Sequence, residues 1–194
     1  MAVVLEKFSS ERVASAVEKV QARLLRATGA LARSNVPYAV VGGNAVAAWV
    51  ARVDEAAVRN TRDVDILLRR ADLEHARIAL EADGFVYRHI AGKELFLDSP
   101  GAKAREAVHV VFAGERVREE ELHPNPDESD TEEADKFTIL SLQALVQIKL
   151  TAFRDKDRMH MRDLIDVGLV DANMIHRYPA QLSERPQSLL DNPE

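Results

Sequence analysis

The sequence predicts an α/β (α+β) domain with a mixed sheet, and three observations carry that expectation. A long stretch of helical periodicity opens the chain, short β-prone runs cut by Gly and Pro fill its middle, and further helical patterns follow. At 194 residues and 46% hydrophobic content, the chain suits one sizeable core better than two independent ones.

From Ser10 to about Ser34, Val13, Val17, Val20, Leu24 and Leu31 recur at helical spacing, with Ser9 or Ser10 available as N-cap and Ser34, Asn35 and Pro37 ending the pattern. Tyr38 to Val41 is a short apolar run that stops at Gly42-Gly43, and the Ala-rich segment from Asn44 to about Val53 suits a helix. Asp63 to Leu68 reads as a second strand, and Asp72 to about Asp83 as a helix ended by Gly84. Phe85 to Ile90, Glu94 to Leu97 and Val108 to Phe112 read as three more strands. Phe137 to Leu140 suggests another short strand, and Ser141 caps a helix running past Lys149. A final helical stretch is expected over roughly His160 to Val170, before a loosely ordered tail holding Pro179, Pro186 and Pro193.

This organisation divides into an N-terminal helix over 1–36, a core over 37–114, an acidic connection over 115–136 and a helical part over 137–194. The net charge of −6 is unevenly spread: Glu115 to Asp135 contains ten acids against Arg116 and Arg118, so the remainder holds 24 basic and 22 acidic residues. Nucleic acid is therefore neither demanded nor excluded as a partner. The acidic run is read as a solvated connection and carries no function. The absence of cysteine removes disulfides, thiolate metal sites and cysteine nucleophiles, and fits a reducing, cytoplasmic setting. No apolar run approaches the roughly 18 residues of a membrane span, and the opening residues place Glu6 and Lys7 straight after a short apolar run.

The chemistry must therefore come from oxygen and nitrogen groups. Alternation along a strand sends Asp63 and Asp65 to one face and Val64, Ile66 and Leu68 to the other, with the two acidic Cα atoms about 6.6 Å apart. Such a pair suits a hard cation, although a bare Asp-x-Asp is also a common accident of composition. Gly42-Gly43 can be a simple tight turn; equally, lacking Cβ atoms, it lets backbone N–H groups and a helix N-terminus approach phosphate oxygens. A phosphate cradle followed by a carboxylate pair points to phosphoryl-type chemistry on a nucleotide. Trp49 is most simply a core residue.

The stretch VVGGNAVAAWVARVDEAAVRNTRDVDILL resembles the signature of the nucleotidyltransferase fold shared with DNA polymerase beta, in which a Gly-Gly or Gly-Ser turn precedes a D-x-D. Farther on, KLTAFRDKDRMHMRDLID resembles the AbiEii-type toxins of bacterial toxin–antitoxin pairs, where a helical Lys is followed by an Arg-Asp-x-x-Asp pattern. The resemblance implies nucleotide binding at Gly42, Gly43 and Asn44, where many relatives carry Ser in place of Asn44. It implies metal binding at Asp63 and Asp65, and further site roles for Lys149, as the cation on the triphosphate, and for Asp163. Within VHVVFAG, His109 stands where the family places a third carboxylate; it could ligate a metal through its imidazole or serve an ordinary structural role.

The reaction so implied takes an NTP with Mg²⁺ (or Mn²⁺) and transfers the NMP to an acceptor hydroxyl. The 3′ end of tRNA is one acceptor, with an antitoxin as protein partner. A small hydroxylated compound such as an aminoglycoside is an alternative acceptor, and a nucleotide-binding module without catalysis is an alternative function. On a single unbroken helix Lys149 and Asp163 would stand about 21 Å apart. Joint service at one centre requires a turn near Arg154 to Asp157, and the plain alternative for Asp163 is a surface ion pair with Arg162.

Overall fold

A computed structural model describes residues 9–191; the opening segment and Pro193 lie outside that range. Helix α1 (Ser10–Arg33) leads into β1 (Ala39–Val41), which passes directly into α2 (Gly42–Ala51). Then come β2 (Val64–Leu68), α3 (Leu73–Ala82), β3 (Val86–Ile90), β4 (Lys93–Leu97) and β5 (Ala107–Phe112). The chain continues through β6 (Thr131–Glu133), β7 (Thr138–Leu140), α4 (Leu142–Ala152) and α5 (Asp155–Asp166) to three short helices, α6 (Ala172–Ile175), α7 (Ala180–Ser183) and α8 (Gln187–Leu190).

The seven strands form one mixed sheet in the order β3-β4-β5-β2-β1-β7-β6. β2 lies at its centre, antiparallel to β1 and parallel to β5. The register puts Val41 and His109 on either side of Asp65. Val64, Ile66 and Leu68 are buried in the main core with Phe96, Val108, Leu24 and Leu31. Trp49 is buried, as its Ala-rich setting suggests, and its Nε1 donates to the Leu140 carbonyl at 3.1 Å, tying α2 to the end of β7. Among the described residues no helix is long and apolar enough to cross a membrane.

Two expectations are corrected, the loosely ordered tail and the start of the last long helix. α1 packs on the domain through Val20, Leu24, Ala27 and Leu31, while Val13 near its start is exposed. A helix of 24 residues is about 36 Å long, roughly twice the span of a five-residue strand. Within the packed part Arg23 and Arg26 pair with Asp98, just after β4.

The acidic segment is largely solvated, as its composition suggests, but anchored at several points. Glu115 accepts from Nε and Nη2 of Arg70, each at 2.6 Å, Glu128 is buried against Arg69 at 3.0 Å, and Asn125 Nδ2 donates to the Phe112 carbonyl at 2.9 Å. Residues 131–133 add an edge strand. These acids find arginines that follow β2, a partnership between distant segments that charge counting does not reveal.

The tail is helical and packed. Ile175 and Leu182 are buried, Tyr178 donates its hydroxyl to the Gln143 carbonyl at 2.7 Å, and Arg185 donates to the Leu150 and Thr151 carbonyls at 2.7 and 2.6 Å. Those two contacts satisfy carbonyls that α4 leaves open at its C-terminal end. The last long helix also begins earlier than its expected start near His160, at Asp155.

Candidate active site

Gly42 begins α2 with φ +68°, a backbone conformation that L side chains rarely adopt. A Cβ there would stand 2.9 Å from Cγ of Asp65, so the missing side chain is what admits the carboxylate to the turn. Gly43 is equally confined: its Cβ would stand 2.6 Å from Oγ1 of Thr61 and 3.5 Å from Nε2 of His160. The diglycine therefore lets three chain segments converge on the N-terminus of a ten-residue helix, where free N–H groups favour an anion. Asn44 turns away from this opening and donates Nδ2 to the Asp63 carbonyl at 2.7 Å, fixing the entry to β2.

Asp63 just precedes β2 and is half-exposed; Asp65, within the strand, is more enclosed. Both line the same two cavities. The smaller, about 310 Å³, runs past Gly43, Arg59, Thr61, Arg62, His160 and Asp163. The larger, about 590 Å³, passes Gly42, Arg70, His109, Lys149 and Arg154. Burial raises the Asp65 carboxyl above its ordinary range, opposed by the charges of Lys156, His109 and Lys149. Lys156, on the first turn of α5, places Nζ 3.9 Å from Asp63 Oδ2.

The turn that brings α5 back to the sheet falls at Phe153, whose φ of +43° ends α4. Arg154 then caps the start of α5, and Asp157, fully buried, accepts from the Arg154 backbone at 3.2 Å and from its Nε at 2.8 Å. Lys149 on α4 is buried too, with Nζ 3.4 Å from Asp157 Oδ1. Burial lowers the Lys149 ammonium. Burial alone would raise the Asp157 carboxyl, yet the Arg154 hydrogen bond and the Lys149 charge hold it below its usual range. Lys149 thus shares its charge with a carboxylate inside the wall of the larger cavity.

Asp163 is brought to the smaller cavity and not to Lys149. It is buried, and its partner is Arg59, whose Nε donates to Oδ1 at 2.6 Å, instead of Arg162. Burial raises its pKa despite that bond. His160 lies one helical turn before Asp163; burial and the Lys149 charge push its imidazole down to about 4, so it is neutral at pH 7. Sequence reasoning missed Asp157, Lys156, His160, Thr61 and Arg59. The first three stand inside the α5 segment, and their identity as acids, lysine and histidine was the only signal available.

Among the described residues no three His, Asp or Glu side chains converge closely enough to form a metal cluster, so His109 does not complete such a group with the two carboxylates. The donor set of Asp63 and Asp65 still fits a hard divalent cation, since two carboxylates share one cleft and the enclosed member is desolvated by burial.

A family model described as uncharacterised nucleotidyltransferase matches residues 2–161. The chain belongs to that family. Its fold agrees with solved structures of low identity. JHP933 from Helicobacter pylori aligns at 13% identity and a TM-score of 0.51, covering 95% of this chain and 79% of that one. An antigenic nucleotidyltransferase-like protein from Paracoccidioides brasiliensis aligns at 15% identity and 0.51, covering 90% and 88%. ANT(2")-Ia, solved with adenylyl-2"-tobramycin, aligns at 16% identity over 87% and 99%, but its TM-score of 0.46 is too low to carry an argument about the acceptor used by this family member. No curated protein matches the chain.

Proposed function

We propose that this nucleotidyltransferase-family chain transfers an NMP from an NTP to an acceptor hydroxyl, with the nucleotide in the smaller cavity and the acceptor in the larger. One observation carries the reading: the two cavities have only Asp63, Asp65 and Lys156 in common. Transfer at the α-phosphorus places the attacking oxygen and the leaving pyrophosphate roughly in line on opposite sides. Two spaces meeting at a carboxylate pair supply that layout.

Gly43, the α2 N-terminus, Thr61 and Arg62 offer donors and positive charge for the phosphates on one side. Asp163 acts as a positioning residue by holding Arg59 at the rim of that cavity. On the other side His109 offers the acceptor hydroxyl a hydrogen-bonding partner beside Asp65. Lys149 adds positive potential at Asp65 from within the wall. Asp63 and Asp65 would hold Mg²⁺ or Mn²⁺, which when bound neutralises phosphate charge. The acceptor hydroxyl gives up its proton to solvent as its oxygen forms a bond to the α-phosphorus, the bond to the bridging oxygen breaks, and pyrophosphate leaves with its electron pair.

The likeness of the α4–α5 segment to AbiEii-type toxins puts the 3′ end of tRNA first among acceptors and an antitoxin first among protein partners. The acceptor cavity carries Lys93 and Arg116 for an anionic acceptor and Glu121 for a cationic one, so its charge does not by itself choose between RNA and an aminoglycoside. The test incubates the protein with each labelled NTP, Mg²⁺ and either total tRNA or an aminoglycoside panel, beside Asp65→Asn. Label transfer that Asp65→Asn abolishes is the expected result, and transfer that survives it unchanged removes the proposed role of the pair. Nucleotide affinity with no transfer to any acceptor would establish a binding module instead.

A further inference from the structure

Lys156 is the only lysine or arginine lining both cavities among the described residues. The neighbouring cations are already committed: Lys149 is 3% exposed and held by Asp157, and Arg154 is held by the same carboxylate. Lys156 instead has a half-exposed side chain and a single long contact, 3.9 Å, to Asp63 Oδ2. Its position on the first turn of α5 leaves four methylenes free to swing. Of the cations acting on Asp65 it exerts the strongest pull toward the ionised form. Two carboxylates with one mobile ammonium over them is an arrangement in which the ammonium stands where a divalent cation must come.

We propose that Lys156 is the resident counter-ion of the Asp63/Asp65 pair: it competes with the divalent metal while the site is free of nucleotide, and shifts to the phosphates when metal and nucleotide enter together. The competition half depends only on the carboxylate geometry; the shift to phosphate rests on the nucleotidyltransferase reading. Charge supplies the reason. An ammonium a few ångströms from a divalent ion repels it by an amount that, in near-aqueous dielectric, corresponds to about a tenfold loss of affinity. Once the phosphates arrive, the same ammonium gains negative oxygens and the conflict disappears. The device favours loading of the metal with its nucleotide over loading of the metal alone.

The test titrates Mn²⁺ alone, read from the paramagnetic signal of the free ion at low ionic strength, into wild type, Lys156→Ala, Lys156→Arg and Asp65→Asn. Thermal melts confirm that each variant is folded. The expected result is about tenfold tighter Mn²⁺ binding by Lys156→Ala, near-wild-type binding by Lys156→Arg and lost binding by Asp65→Asn, with the gain shrinking as salt is added. A second titration with NTP and Mn²⁺ together should show the opposite sign, Lys156→Ala binding nucleotide about fivefold more weakly. Equal or weaker Mn²⁺ binding by Lys156→Ala overturns the competition while leaving the proposed transfer intact. Unchanged nucleotide affinity overturns the shift to phosphate. No Mn²⁺ binding by wild type or Lys156→Ala, even at millimolar ion, overturns both this inference and the metal role assigned to Asp63 and Asp65.

Discussion

Adding one methyl group at Gly42 should cost both stability and the site, and a second glycine provides the control. Gly42 has φ +68° and Gly84 has φ +85°, so alanine at either meets left-handed strain of about 1–2 kcal/mol. Nothing lies within 4 Å of a Cβ at Gly84, whereas at Gly42 it would meet Asp65 Cγ at 2.9 Å and Cβ at 3.0 Å. Asp65 belongs to the central strand, bracketed by β1 and β5, so it has little freedom to retreat. The collision adds an overpacking cost of about 1–3 kcal/mol. Gly84→Ala should therefore lower unfolding stability by about 1–2 kcal/mol, and Gly42→Ala by about 2–5 kcal/mol.

Urea unfolding followed by circular dichroism measures both, and at this size each kcal/mol corresponds to about 2–4 °C in Tm. Displacement of the Asp65 carboxylate should also abolish Mn²⁺ binding in Gly42→Ala and spare it in Gly84→Ala. Equal destabilisation of the two variants, or full Mn²⁺ affinity in Gly42→Ala, would refute the claim that the bare turn exists to admit Asp65.

Two further perturbations probe the interior of the site. His160 has a folded pKa of about 4 against an ordinary 6.5. Above pH 6.5 it is neutral in both states. As pH falls from 6.5 toward 4 the unfolded chain takes up the proton first, and the stability contributed by the neutral form is progressively lost. Asp65 and Asp163, with raised values, act in the opposite direction in the acid range, but they do so in wild type and in His160→Gln alike. Subtracting the two stability profiles should leave a slope confined to pH 6.5–4, and parallel profiles there would contradict the buried neutral imidazole. Lys149→Met removes one partner of a buried ion pair, a change that typically costs about 3–5 kcal/mol. Because Arg154 still bonds to Asp157, the loss should fall near the lower end, with partial recovery in Lys149→Met/Asp157→Asn; a urea midpoint unchanged from wild type would show that the pair does not hold α4 against α5.

Most of the central scaffold was legible because it is written in local signals. The run 38–41 followed by two glycines places a strand end and a helix start within six residues, and alternation from Asp63 to Leu68 separates the acids from the core-facing aliphatics. The observed β1, α2 and β2 follow that pattern within two residues at each boundary. Where the signal was local but needed a partner from elsewhere, it was incomplete. The acidic run 115–135 has the composition of a solvated loop, and contacts with distant residues anchor it: Arg69 and Arg70 after β2, Arg52 at the end of α2 and the β7 edge. Likewise the proline-bearing tail has no striking periodicity, yet it closes the C-terminal end of α4 through Arg185.

By itself the sequence determined the α/β alternation, the diglycine turn, the carboxylate spacing and the two helical ends, since each depends on backbone preferences over a few neighbouring residues. Only the tertiary structure decided which side chains meet there. It turned the chain at Phe153, gave Asp157 to Lys149, paired Asp163 with an arginine 104 positions away, and set Lys156 between the two cavities. Such meetings depend on the packing of whole elements against one another, and the spacing of residues within any one element carries no record of it.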